Sequence, residues 1–226
     1  MPTYEQLGFG QGAALTGDRA RAVFGHVMGL VAFALGFTAL GAYIGRDMSG
    51  GTGIIFFLGA FACIFGLNAA SSRGHEQLAV ALLFGMGLLL GMAISPILVY
   101  YVHTDSGAVY EAAGTTALFV GLLGSIGYAT RRDLTGMMKV LMIAFIPVFI
   151  FGIVTLFVVI PGSNIIYCVL MLVIFGGFTM FDFNRLAHNP SYNGAVPIAA
   201  RIFLDIFNVF LLLLSLFGGG GGGSRR

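Results

Sequence analysis

The sequence predicts an all-α membrane protein with seven transmembrane helices, on three observations. Apolar residues make up 58% of the 226 and charged residues only 9%, with a mean hydropathy of +0.97. So few charges cannot cover the surface of a soluble domain of this size. Seven apolar runs are near or above the roughly 20 residues a spanning helix needs, and brief turn-like segments separate them. Nothing between the runs is large enough for a second domain, and no internal repeat stands out.

The domain organisation follows from those runs. Residues 1–22 form a polar, glycine-containing N-terminal segment without the apolar stretch of a cleavable signal peptide, so the first span itself is expected to target the chain. The seven-helix domain covers 23–217, with spans at about 23–45, 54–70, 78–102, 107–129, 137–159, 164–187 and 196–217. The second is short and borrows from its polar flanks. Turns fall at Arg46–Gly53, Ser71–Gln77, His103–Ser106, Thr130–Gly136 and Pro161-Gly162. Pro96 and Pro147 lie inside the third and fifth spans, where proline kinks a helix. Residues 218–226 read as a flexible glycine-rich tail.

Glycine is abundant at 35 residues. Gly25-x3-Gly29, Gly87-x3-Gly91 and Gly121-x2-Gly124-x2-Gly127 have the spacing that lets membrane helices approach closely. Cys63 and Cys168 fall within apolar runs and read as small buried hydrophobes. Orientation follows from Lys and Arg near helix ends. The N-terminal side collects Arg19, Arg21, Arg73, Arg131, Arg132, Lys139, Arg185 and Arg201, against Arg46, Arg225 and Arg226 opposite. That predicts a cytoplasmic N-terminus and an external C-terminus.

Several function classes fall away. A net charge of +2 with no basic run gives no footprint for nucleic acid. His75-Glu76 lacks the second histidine of an H-E-x-x-H zinc site. There is no G-x-S-x-G nucleophile elbow and no phosphate loop. A retinal Schiff base needs a lysine in a late helix, but Lys139 lies near the start of the fifth. Intramembrane aspartyl proteases place one aspartate on each of two neighbouring helices, yet Asp205 follows Ile-Phe-Leu instead of Gly-x-Gly. No enzyme activity and no cofactor are expected.

What remains is a pair of acids in the last hairpin. Asp182 sits near the end of the sixth span and Asp205 about nine residues into the seventh, after Pro197. A transmembrane aspartate costs roughly 2.5–3.5 kcal/mol on insertion scales, so two need a reason. At 1.5 Å rise per residue they lie roughly 7 and 13 Å from one membrane face, a mismatch of about one turn. Antiparallel neighbours can bring them together, and two close carboxylates in a low dielectric share a proton and titrate as a unit. The plainer alternative satisfies each acid on its own helix, Asp182 with Arg185 at i+3 and Asp205 with Arg201 at i−4. Arg73, on the same side by parity, is a candidate latch or a charge anchor. Asn184 and Asn208 are near enough in sequence to support a polar network. Glu111 marks the external start of the fourth span, as a solvated helix start or a pathway mouth, and His26 reads as a packed or interfacial side chain.

Phe181-Asp182-Phe183-Asn184-Arg185, Phe203-Leu204-Asp205-Ile206-Phe207-Asn208-Val209-Phe210-Leu211, Arg131-Arg132-Asp133-Leu134 after Gly127, and Glu111-Ala112-Ala113-Gly114-Thr115-Thr116 together resemble the Bax inhibitor-1 (transmembrane Bax inhibitor motif) family, its bacterial members above all. The likeness covers nearly all the chain after residue 20. It implies six helices wrapped around a central C-terminal helix, in a bacterial inner membrane. It also implies a pH-sensitive calcium leak whose sensor is Asp182 with Asp205, and it puts Arg73 where a latch arginine is expected.

Two carboxylates offer calcium at most four of its six to eight oxygen ligands, so a weak, transient station for a transported ion fits better than storage. The sign of the pH response stays open, since acid would release an arginine latch and alkali would make the carboxylates repel. The competing reading is a non-conducting regulator that binds a membrane protease or stress-response partner. The expected partners are membrane lipid and calcium, and a monomer is expected.

Overall fold

A computed structural model describes residues 8–48, 50–158, 161–188 and 194–219. Seven helices run through them: α1 (Gly8–Ile44), α2 (Gly53–Ser72), α3 (Glu76–Thr104), α4 (Ser106–Ala129), α5 (Thr135–Phe157), α6 (Ser163–His188) and α7 (Ala195–Gly219). Each is long and apolar enough to cross a membrane, and no strand occurs among the described residues. Two short 3-10 turns, Gly45–Asp47 and Gly50–Thr52, join α1 to α2.

The sequence places most helix ends within a few residues, with α1 the exception. It starts at Gly8, so most of the polar N-terminal segment is helical, and its 37 residues run about 55 Å, well beyond the roughly 30 Å hydrocarbon core. The membrane-length part is Arg21–Asp47. Helices α3 and α5 are continuous through Pro96 and Pro147. Of the tail, Gly218 and Gly219 complete α7, and residues 220–226 lie outside the described residues, as do 1–7.

Local chemistry sets the boundaries. Gly74 has φ 77°, and around it His75 N–H donates to the Ala70 carbonyl at 2.9 Å and Gly74 N–H to that of Ser71 at 3.1 Å. This is the Schellman arrangement, which ends α2 with Arg73 as its C-cap. Asp105 caps α4, its carboxylate accepting from Ala108 N–H at 3.3 Å. Asp133 lies one residue before Leu134, the N-cap of α5, and makes a local turn, accepting from the Thr135 N–H at 2.9 Å and hydroxyl at 2.6 Å. Those bonds hold the Asp133 carboxyl below the ordinary aspartate value.

Packing follows two patterns. Helices α1, α2 and α3 form one sheaf, while α4 packs on α6, and α5 mainly on α6. The last helix, α7, touches α6, α4, α1, α3 and α2, so it is the central element. Phe203, Ile202, Val209 and Leu214 of α7 are essentially inaccessible. The window of α5 has no buried residue, which leaves its surface for lipid.

Glycine explains the close approaches, but not at every suggested pair. A Cβ on Gly87 or Gly91 would overlap the α1 backbone at Ala34 or Thr38, and one on Gly127 would overlap Met180 of α6. At Gly124 it would meet the Phe183 ring at 3.0 Å. Gly25, Gly29 and Gly121 face open space instead. Spacing marks one face of a helix without saying what covers it.

Candidate functional site

The α6–α7 hairpin brings its charged residues to one level. Asp182 is six residues from the end of α6, and Arg201 is six residues past the start of α7. At 1.5 Å per residue both lie about 9 Å from the same helix ends, whereas Asp205, four residues further, lies about one turn deeper. Antiparallel packing therefore sets Arg201 beside Asp182. Nε of Arg201 is 3.3 Å from Oδ1 of Asp182.

The close ion pair runs between the two helices and not along either one. Arg201 bridges across to Asp182, and Arg185 is exposed and contributes only a more distant positive charge. Asp205 feels the charges of both Asp182 and Arg201. The three side chains form one electrostatic unit.

The unit is dry on its acidic side. Asp182 is 3% exposed and Asp205 6%. Oδ1 of Asp182, Oδ2 of Asp205 and Nε of Arg201 are buried without hydrogen-bond partners among the described residues, so the Arg201–Asp182 contact is an ion pair and not an aligned hydrogen bond. Buried carboxylates normally collect donors. Thr179, fully buried one turn before Asp182, lies beside Asp205 and donates its hydroxyl to the Phe175 carbonyl at 2.9 Å. Thr179 is not among the residues the sequence singles out, although a threonine at i−3 from a membrane aspartate is a legible sign.

Asn184 has a different role from the expected one. Its Nδ2 donates to the carbonyls of Gly127 at 3.1 Å and Thr130 at 2.7 Å, clamping the end of α4 to α6. Phe183 beside it packs under Gly124 and faces Phe24 at 6.5 Å between ring centroids. Asn208 lines a separate cavity of about 330 Å³ with Asn164, Cys168 and Ser215. Glu111 is exposed in the first turns of α4, on the side of the bundle away from the pair. Arg73 is exposed at the end of α2, on the same side as the pair, while the cation against Asp182 is Arg201. Among the described residues no three His, Cys, Asp or Glu side chains gather as a metal centre.

Comparison with known proteins adds the lineage. The family model described as "Inhibitor of apoptosis-promoting Bax1" matches residues 20–222. An uncharacterized protein of Chlamydia muridarum is 28% identical over 229 aligned positions, covering 92% of this chain and 94% of the relative. One of Helicobacter pylori strain 26695 is 27% identical over 165 residues, 73% of this chain and 70% of the relative. An uncharacterized membrane protein of Streptococcus pyogenes serotype M1 is 27% identical over 158 residues, 66% and 67% of the two chains. With a family match spanning all seven helices, the chain is a multi-pass membrane protein that belongs to the Bax inhibitor-1 family.

Proposed function

We propose that this protein is a pH-sensitive calcium leak of a bacterial inner membrane, gated by Asp182, Arg201 and Asp205. The observation that carries the reading is two buried carboxylates within the α6–α7 hairpin and a single guanidinium, which contacts Asp182 and acts on Asp205 only through its charge. With both acids ionised, a buried negative charge is uncompensated. With both neutral, the guanidinium loses its partner. The balanced state holds one proton between the acids, and we assign the closed conformation to it.

Opening then has two routes. Alkali removes the shared proton, and the carboxylates repel. Acid protonates Asp182 and releases Arg201. Calcium flux is therefore lowest at an intermediate pH and rises on either side. Arg201 takes the latch role that the family resemblance assigns to Arg73. The two carboxylates supply at most four oxygens, so calcium pauses there weakly, as conduction requires. The excess of Lys and Arg on the N-terminal side supports a cytoplasmic N-terminus, with the sensor nearer the cytoplasm.

Calcium entry into dye-loaded liposomes containing the purified protein tests this. Asp205→Asn cannot gain the second charge and loses the alkaline rise. Asp182→Asn keeps the ion pair broken, so flux no longer falls between acid and neutral pH. Flux at the protein-free level throughout, or an unchanged profile in both variants, removes the leak reading in favour of a non-conducting regulator of a membrane protease or stress-response partner.

A further inference from the structure

A long apolar groove lies between α1 and α4, floored by α7, with a volume of about 900 Å³. One end is closed where Phe24 meets Tyr128 edge-on, 5.2 Å between ring centroids. Beyond that contact α1 and α4 barely touch. The wall runs from Phe24 to Ala42 on α1 and from Tyr128 back to Ala113 on α4. At 1.5 Å per residue these stretches measure about 27 and 22 Å. The groove thus covers most of the roughly 30 Å hydrocarbon core and exceeds the roughly 15 Å of one leaflet.

Its chemistry and length select the occupant. The hydroxyls of Thr38, Thr116 and Ser125 donate to their own helices, to the carbonyls of Ala34, Ala112 and Gly121 at 2.9, 2.7 and 2.6 Å. Apart from these and Tyr128 at the closed end, the lining side chains are apolar, whereas a buried water needs two to four polar partners. The groove opens between α1 and α4, where Ala39, Ala113 and Ala117 are exposed, so the hydrocarbon chains of the bilayer reach it directly and can lie along its length.

Charge gives the direction. Arg131 and Arg132, both exposed, follow Tyr128 by three and four residues at one end. Exposed Glu111 flanks the other, where Asp47 is paired with Arg46 at 3.4 Å. We propose that the groove holds an acyl chain of an anionic membrane phospholipid, its headgroup beside Arg131 and Arg132. This goes beyond the leak reading and does not depend on it.

The chain contains no tryptophan, so one introduced indole reports alone. Ala117→Trp places it on the groove wall, and Leu118→Trp on an exposed face of the same helix outside it. Purified protein in detergent micelles is titrated with phosphatidylglycerol brominated in mid-chain. The Ala117→Trp signal is quenched to a plateau near one lipid per protein, while Leu118→Trp is quenched only in proportion to the lipid content of the micelle. Adding Gly121→Leu to Ala117→Trp fills the groove and removes the saturable phase, with elution volume unchanged. Arg131→Gln with Arg132→Gln moves the plateau to several-fold more lipid. Identical titrations for the two indoles overturn the proposal. So does strong acrylamide quenching of Ala117→Trp, which means a water-filled groove, or dimerisation that buries it. Equal binding of phosphatidylcholine with the same chains overturns the headgroup assignment.

Discussion

Arg201→Gln is the most direct test of the charge unit. The substitution leaves Asp182, its side chain 5% exposed, without the cation 3.3 Å away. Removing one member of a fully buried ion pair costs about 3–5 kcal/mol, whereas exposed pairs contribute about 0–1 kcal/mol. The Arg201 side chain is 37% exposed, so water screens its half of the pair and the expected loss is about 1–3 kcal/mol. A double-mutant cycle with Asp182→Asn separates the pair from everything else Arg201 touches. Equilibrium unfolding in mixed micelles at pH 8 is the assay, and the coupling should exceed about 1 kcal/mol. In acid, once Asp182 is protonated in wild type, the coupling disappears. Additivity within about 0.5 kcal/mol at pH 8 refutes the reasoning, because independent sites behave that way.

Four further substitutions have defined outcomes. Asn184→Ala removes both bonds of the α4–α6 clamp and takes the side-chain donor from the Thr130 carbonyl, while that of Gly127 keeps the Thr130 N–H, for a loss of about 1–3 kcal/mol by unfolding. Gly127→Ala drives a methyl into the Met180 backbone and should cost about 1–3 kcal/mol. Gly121→Ala, facing open space, should be neutral or stabilising by up to about 1 kcal/mol. Asp133→Ala should speed amide exchange in the first turn of α5 at neutral pH. Because its folded carboxyl titrates below the ordinary value, the Asp133 contribution is complete above that value and fades as pH falls through the lowered one. The wild type and the variant should therefore converge in strong acid, and a difference persisting there counts against the turn with Thr135.

The helices were legible because a spanning segment must be long and apolar, and little else satisfies that condition. The start of α1 was not, since Ala13, Ala14, Ala20 and Ala22 favour helix without adding an apolar run, and a hydropathy reading sees only the apolar part. The acids stood out by their cost in hydrocarbon, but their partner did not. Counting i±3 and i±4 searches one helix at a time, and Arg201 reaches Asp182 across two. Matching distances from the hairpin ends would have found it. Asn208 shows the converse: three residues from Asp205 in sequence, it lines a different cavity. Asn184 neighbours Asp182 yet spends its amide on the α4 carbonyls.

The pairing of Arg201 with Asp182 also bears on how the chain enters its membrane. Asp182, Arg201 and Asp205 would each carry an insertion penalty as lone residues, rising to roughly 2.5–3.5 kcal/mol at the centre of a span. If α6 entered lipid before α7 was made, Asp182 would cross without its counter-ion. Residues 189–194 separate the two helices, so the hairpin can pre-form at the interface and partition with Asp182 and Arg201 already paired. Helices α1–α5 precede it in the chain, and they lack their axis until α7 arrives.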